Sequence, residues 1–395
     1  MQKCLDVLKQ YCDKSGLHLN VDKTKILVFS RGKIRNLPNL FFNNEKIEVV
    51  FEYKYLGTLF NFNNKFQKAI KNQYLAANRA LFSLIKKCRV LDLPIDIQID
   101  LFNKCVVPIL LYGCEVWGYE NLQLCDKLQL RFLKLLLGVK VSTPSCMVYG
   151  EVGELPVSLT AKCRMLVYYY KLSLERKSDT TSHKYSCLLF DLCRAITLNN
   201  NNMNGPNDRY KFKWLLEIHS LLDSLGLSFI HQNIDQPTYT LNKFKTIVKQ
   251  RLRDQYLQTW HDNIFNCNMS VTYRMYKTEF KYEPYLLKLK TKLGHNLTLF
   301  RLSSHRLPVQ RLRYFDTPRQ DRLCTLCDKQ EMGDEYHYIF SCSYQPIADK
   351  RTKCIRKSLY QRPTIFNFQR LMNITSRSKL TKLAQFISEI LTQCR

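Results

Sequence analysis

Cys324, Cys327, His337 and Cys342 stand in the order C-x2-C-x9-H-x4-C, and no other feature of the chain limits its folding so narrowly. Three thiolates and an imidazole at these spacings can close a tetrahedral shell around Zn²⁺. The C-x2-C pair folds into a tight knuckle, and the later His and Cys arrive from the next element. Gly333 supplies a turn between the two halves. Four protein ligands leave no position for water or substrate, so the expected ion is structural and folds a small module rather than doing chemistry. Cys354 and His305 are the nearest spare donors and could replace one of the four. Asp334-Glu335, in the loop between the halves, reads as a solvated turn.

The metal array sits in a strongly basic chain. Lys and Arg number 61 against 33 Asp and Glu, a formal net charge of +28. An excess of this size favours polyphosphate partners, because each neutralised phosphate releases counterions. With 45% hydrophobic and 12% aromatic residues over 395 positions, the chain can build two or three cores and is no disordered basic tail. Lys3, Asp6, Lys9, Asp13 and Lys14 near the amino end exclude a secretory signal. The longest apolar stretch, residues 105–114, contains Pro108 and is too short to cross a bilayer. No membrane contact is expected, and the expected compartment is intracellular, nucleus or cytoplasm, with most of the 16 cysteines as free thiols. Cys105, in its apolar run, reads as a buried and inert thiol.

Periodicity divides the chain. Leu5, Leu8, Tyr11 and Cys12 mark a short amphipathic helix ended by Gly16. Residues 24–29, 40–42, 46–51 and 53–60 read as strands, with Asn43-Asn44 as a hairpin turn. From Phe66 the period turns helical: Leu81, Leu84, Ile85 and Cys88 share a face, as do Leu128, Phe132, Leu135 and Leu136. A third face, carrying Leu159, Cys163, Leu166, Val167 and Tyr170, opens after Pro156. The Asn-rich run near 199–207 cannot bury a core and reads as a linker or loop. Residues 212–225, 241–264 and 378–391 also read as helices. The expected class is therefore mainly α with a small N-terminal β module. Its expected divisions are 1–62, 63–198, a linker at 199–208, a basic helical region at 209–322, the knuckle at 323–345 and closing helices at 346–395.

Four segments carry a family resemblance. Residues 16–25, GLHLNVDKTK, followed by the strand at 26–29, resemble the motif just after the catalytic Tyr-x-Asp-Asp of non-LTR retrotransposon reverse transcriptases. Tyr53-Lys-Tyr55-Leu56-Gly57 resembles that family's primer-grip hairpin. Residues 107–118, VPILLYGCEVWG, resemble the helix of its thumb, and residues 322–342 its carboxyl-terminal zinc knuckle. Their order and spacing agree with the family along nearly the whole chain. The resemblance implies that Lys23 and Lys25 lie near the incoming nucleotide's phosphates, and that Tyr55, Leu56 and Gly57 form the turn holding the primer end.

The departure from the pattern matters for chemistry. Nucleotidyl transfer needs paired carboxylates holding two Mg²⁺ ions, and neither Tyr-x-Asp-Asp nor any Asp-Asp pair occurs in the chain. After Cys342 the only acids are Asp349 and Glu389, too few for a restriction-like nuclease site. Mg²⁺ is not expected, and the chain as it stands is not expected to be an enzyme. It resembles the palm end, thumb and zinc domain of a polymerase whose N-terminal half is missing. The leading expectation is a catalytically incomplete, nucleic-acid-binding remnant of an RNA-directed DNA polymerase. Its partner would be RNA or DNA as primer-template or hybrid. Phosphate contacts are expected from two basic helices, one with Arg251 and Arg253, the other at 306–322 with Arg311 and Arg313. Tyr336 and Tyr338 could contact bases or pack on the knuckle's own core. Two alternatives stand beside this: a truncated gene model of an active reverse transcriptase, and a zinc-stabilised protein-interaction scaffold.

Overall fold

In a computed structural model the chain is described over residues 1–30, 36–63, 65–176, 184–201, 212–289 and 292–394. The architecture is mainly α with a small N-terminal β module, as the periodicity requires. Helix Gln2–Ser15 stops at Gly16, whose left-handed backbone (φ 65) returns its N–H to Cys12 O. Six short strands follow: β1 (Lys25–Leu27), β2 (Phe41–Phe42), β3 (Glu45–Lys46), β4 (Glu48–Val50), β5 (Glu52–Tyr55) and β6 (Thr58–Asn61).

Two runs that read as single strands are each broken, for different reasons. Within 46–51, Ile47 turns into a small core with Leu40 and Phe42. Lys46 then pairs back on Phe41, while Val49 runs parallel to Ile26 on β1. Within 53–60, Leu56 and Gly57 both take positive φ (46 and 88) and fold the run into the β5–β6 hairpin. Asn43 and Asn44 (φ 50 and 62) turn β2 into β3, as their side chains favour. Each sheet is a lone pair of strands, too little for independent stability. Val7, Leu17 and Phe29 stay exposed around it, and so do Leu8 and Tyr11, half of the apolar face expected of the first helix.

The helical body holds two larger cores. One gathers Tyr170, Leu215, Ile218, Leu222, Phe244 and Val248 from helices Val157–Glu175, Lys213–Ser224 and Leu241–Asn266. Tyr170 stacks on Phe244 with ring centroids 4.1 Å apart. The other core runs from Ile70 to Cys394 and includes Trp117, Phe132, Phe300, Tyr338 and Phe386. Leu241–Asn266 joins the two, since Phe244, Val248 and Leu252 enter the first while Trp260 and Ile264 enter the second. Of the Asn-rich run, residues 199–201 close helix Lys184–Asn201, and 202–208 lie outside the described residues.

Four readings need correction here. Residues 107–118, which resemble a single helix, form two four-residue helices, Val107–Leu110 and Cys114–Trp117, parted at Gly113, whose backbone is left-handed (φ 70). Pro108 lacks the N–H an α turn needs. Ahead of it the chain widens into a π turn at Phe102–Val106, where Val107 N–H reaches back to Phe102 O. That turn leaves Cys105 exposed rather than buried. Residues 306–322 are not a basic helix but short turns, Pro308–Arg311, Leu312–Phe315 and Arg319–Asp321. Leu135, expected on a buried face, is exposed.

A buried ion network ties the body together. Arg301 Nε lies 2.5 Å from Glu151 and Arg301 Nη2 3.0 Å from Glu283, with Lys277 on the far side of Glu283. Arg301 Nη1 also donates to Met372 O at 2.8 Å, and the Tyr276 and Tyr285 rings flank its guanidinium at 4.7 and 5.1 Å. Helix Ser145–Val152 is seated on Trp260 beside this network. A Cβ on Gly150 would lie 2.7 Å from the Trp260 ring, which is itself fixed by Nε1–H donating to Cys146 O at 2.8 Å. Intrinsic helix propensity favours alanine over glycine by about 1 kcal/mol. Overpacking here outweighs it, so Gly150→Ala is expected to destabilise by about 1–3 kcal/mol, read as a lowered thermal midpoint. A raised midpoint would show that the Trp260 contact is soft.

Candidate metal centre

The knuckle is built by a short antiparallel bridge, Leu323 opposite Met332. Cys324 N–H donates to Glu331 O at 2.8 Å, and Gly333 N–H to Arg322 O at 2.9 Å. The C-x2-C pair occupies the loop of this hairpin. Asp334 then caps helix Glu335–Phe340 by accepting from His337 N–H at 3.0 Å, which fixes His337 one turn into the helix. Cys342 follows its carboxyl end, its N–H returning to His337 O at 2.9 Å.

The four ligand atoms of Cys324, Cys327, His337 and Cys342 lie within 4.8 Å of one another. This is the only group of three or more metal-ligating side chains so gathered among the described residues. His337 Nε2 faces Cys327 Sγ at 3.4 Å, while Nδ1 meets Glu331 Oε2 at 2.8 Å. A carboxylate behind the imidazole fixes which nitrogen points at a metal and raises its basicity. Cys324 Sγ also lies 3.3 Å from the Tyr338 hydroxyl. Its pKa is drawn down to about 3, chiefly by the hydrogen bond from Cys342, with His337 and Tyr338 adding against burial. The same contact and burial push Cys342 up. Burial lowers His337, but its hydrogen bonds with Cys324 and Glu331 bring it to about 9. The shell thus concentrates thiolate and imidazole charge where a cation can replace the shared protons. It can hold a metal ion. Neither spare donor belongs to it: His305 has both ring nitrogens engaged, by Glu335 and by Leu307 N–H.

The body grips the knuckle from three sides. Arg351, itself buried, donates to Ile339 O (2.8 Å), Tyr338 O (3.2 Å) and Cys342 O (2.8 Å), satisfying carbonyls at the end of the His337 helix. Pro308 packs on Gly333, where a Cβ would come within 2.9 Å of its ring. Glu335 corrects the expectation of a solvated turn. Its carboxylate is buried and receives Thr272 Oγ1 (2.7 Å), Ser303 Oγ (2.8 Å) and His305 Nε2 (2.8 Å). Burial raises its pKa, but His305 and the hydrogen bonds more than offset this and hold it at about 2. Sequence gave no signal for it, since an acid beside Asp334 looks like loop. Tyr338 is fully buried, and Tyr336 packs edge-on against Phe340 and Phe368, so both serve the core.

The other anticipated contact residues lie apart from the knuckle. Lys23 is exposed beside β1, whereas Lys25 pairs with Glu48 at 2.6 Å. Tyr55, Leu56 and Gly57 sit at an exposed turn, and Tyr112 donates its hydroxyl to Leu56 O at 2.9 Å. That bond joins two of the four motif segments. Arg251, Arg253 and Arg311 are exposed; Arg313 stacks on Tyr314 at 5.3 Å. No helix is long and apolar enough to cross a membrane among the described residues.

Comparison with known proteins is sparse. No protein-family model matches the chain, and no solved structure does. An uncharacterised transposon-derived protein of Caenorhabditis elegans is 31% identical over 123 residues, 30% of this chain and 43% of that protein. The chain thus spans less than half the length of that relative.

Two outcomes follow for the centre. Glu331→Ala, at a half-exposed position, is expected to weaken metal binding by about 10–100-fold, measured by competition with a chromophoric chelator; unchanged affinity would remove Glu331 from the site. Glu335 has its pKa depressed by folding, so its contribution is complete above the unfolded carboxylate value near 4.5 and is lost as pH falls towards 2. Roughly 3 kcal/mol of stability is involved. The stability gap between wild type and Glu335→Gln should therefore shrink steadily on acidification from pH 5, as followed by denaturant titration; a gap independent of pH would contradict this.

Proposed function

We propose that the chain is a nucleic-acid-binding remnant of a transposable-element reverse transcriptase, held together by a structural zinc ion and lacking polymerase activity of its own. The observation that carries the reading is a closed four-ligand shell set in a body with 28 excess positive charges. The stretch similar to a transposon-derived protein supports the mobile-element origin. The four motif segments support the reverse-transcriptase parentage, and so does the bond between Tyr112 and Leu56 that brings two of them together.

Zinc suits the shell. Four bonds of about 2.0–2.3 Å in a tetrahedron place ligand atoms about 3.4–3.8 Å apart, close to the spacing present and reachable by small rotamer shifts. Cys324, Cys327, Cys342 and His337 Nε2 would hold the ion, which would supply folding energy rather than a reactive water. The chain's part is to keep those donors dry and aimed: Glu331 orients the imidazole, and Arg351 fixes the helix end from which Cys342 projects.

A second reading is favoured by the N-terminal module. β1 has β4 as its sole strand neighbour among the described residues, and Val7, Tyr11 and Phe29 are exposed beside it. In that reading a polymerase half packs on this face and completes an active enzyme.

The test is a salt series. Binding of a single-stranded oligonucleotide should weaken steeply as salt rises, as counterion release demands, with one zinc per chain by elemental analysis and no extension of a primed template. A flat salt response sinks the nucleic-acid reading, absence of zinc sinks the metal assignment, and unaided extension sinks the claim that the chain lacks polymerase activity of its own.

A further inference from the structure

The helices Val157–Glu175 and Leu241–Asn266 pack at their apolar faces but part on the solvent side, leaving a cleft of about 910 Å³. Lys245, Lys249 and Arg253 line one wall, spaced four residues apart so that they form a single stripe. Arg164 and Lys171 line the other wall, with Tyr168 between them, and Glu115 is the only acid on the lining. Among the described residues no carboxylate lies within ion-pair distance of Lys245, Lys249 or Arg253. The stripe advances about 12 Å along its helix, enough to meet more than one phosphate. Its floor is apolar, formed by Leu159, Val167 and Leu252.

We propose that this cleft is a binding groove for single-stranded nucleic acid, with phosphates on the two cationic walls and a base or two against Tyr168 and the apolar floor. The proposal rests on the nucleic-acid reading and gives it a place and a preference. Lys171 pairs with Glu175 at 3.4 Å, but the stripe of Lys245, Lys249 and Arg253 lacks such a partner among the described residues and faces Arg164, a repulsion that a polyanion relieves. A duplex keeps its bases stacked inside and can offer the cleft only its backbone, whereas a single strand can turn bases onto an aromatic and aliphatic surface. The groove takes in Arg253 but not Arg251, which leaves the helix on a different side. The cations opposite, Arg164 and Lys171, belong to a helix that sequence presents as core-forming.

The test uses the full chain and a fluorescently labelled oligothymidylate of roughly a dozen nucleotides. Lys245 and Lys249 are exposed, so Lys245→Ala/Lys249→Ala should fold normally. The control, Lys86→Ala/Lys87→Ala, removes the same charge from an exposed site on helix Gln67–Val90. The cleft variant should lose affinity at least tenfold, and its slope of log K against log salt should fall by about 1.4, two single-strand contacts. The control should change little, and wild type should prefer the single strand to the matching duplex. Equal effects of the two variants, or equal binding of duplex, would overturn the cleft while leaving nucleic-acid binding intact. Competition by polyglutamate as strong as by unlabelled oligonucleotide would overturn it in favour of an acidic peptide. No binding by wild type would remove both proposals together.

Discussion

The ion network centred on Arg301 is the constraint on which the body's arrangement depends. Its members come from three regions of the chain, near 151, 277–301 and 372, and each is buried. A buried charge is costly to desolvate and is tolerated only with its partners in place. Glu151 shows the balance: burial raises its carboxyl, yet Arg301 and Lys277 bring the net shift below the ordinary value. Helix Ser145–Val152, the 273–289 segment, helix Lys292–Arg301 and the end of helix Ile365–Met372 must therefore assemble in one geometry, since any other leaves an ion uncompensated. Apolar packing alone tolerates many near-equivalent arrangements; a guanidinium fork with two carboxylates and two flanking rings does not.

The knuckle inherits that rigidity. A hairpin and a helix of six residues cannot bury enough surface to hold their own ligands in place. Glu335 hangs the knuckle helix on Thr272, Ser303 and His305, all close in sequence to the network residues, while Arg351 pins its other end. The metal shell and the helical body are thus parts of one core, which also contains Tyr338 and Cys342. A metal ion held there would lock the carboxyl-terminal helices to the body as well as folding the knuckle.

Charge is distributed by a different logic. The cations that stabilise the body are few and buried, and most of the remainder lie outside on helices whose opposite faces pack. Helix Leu241–Asn266 is an example, with Phe244, Val248 and Leu252 in one core, Trp260 and Ile264 in the other, and Lys245, Lys249 and Arg253 along the open cleft. The helix was legible in the sequence, but the wall facing it comes from residues about 80 positions away.

What the chain's order of residues determined by itself is local. The four metal donors were legible because knuckle and helix each bring their pair together within five residues. The helices were legible because a 3.6-residue apolar period admits little else, and the Asn43-Asn44 turn because asparagine tolerates positive φ. Tertiary structure decided the rest. Ile47 broke a strand by entering a core, Pro108 opened a π turn that exposed Cys105, and Glu335, Glu151 and Arg301 went inside although their residue types mark the surface. Burial of a charge depends on partners distant in sequence, and no local pattern can announce a partner that only folding brings within 3 Å.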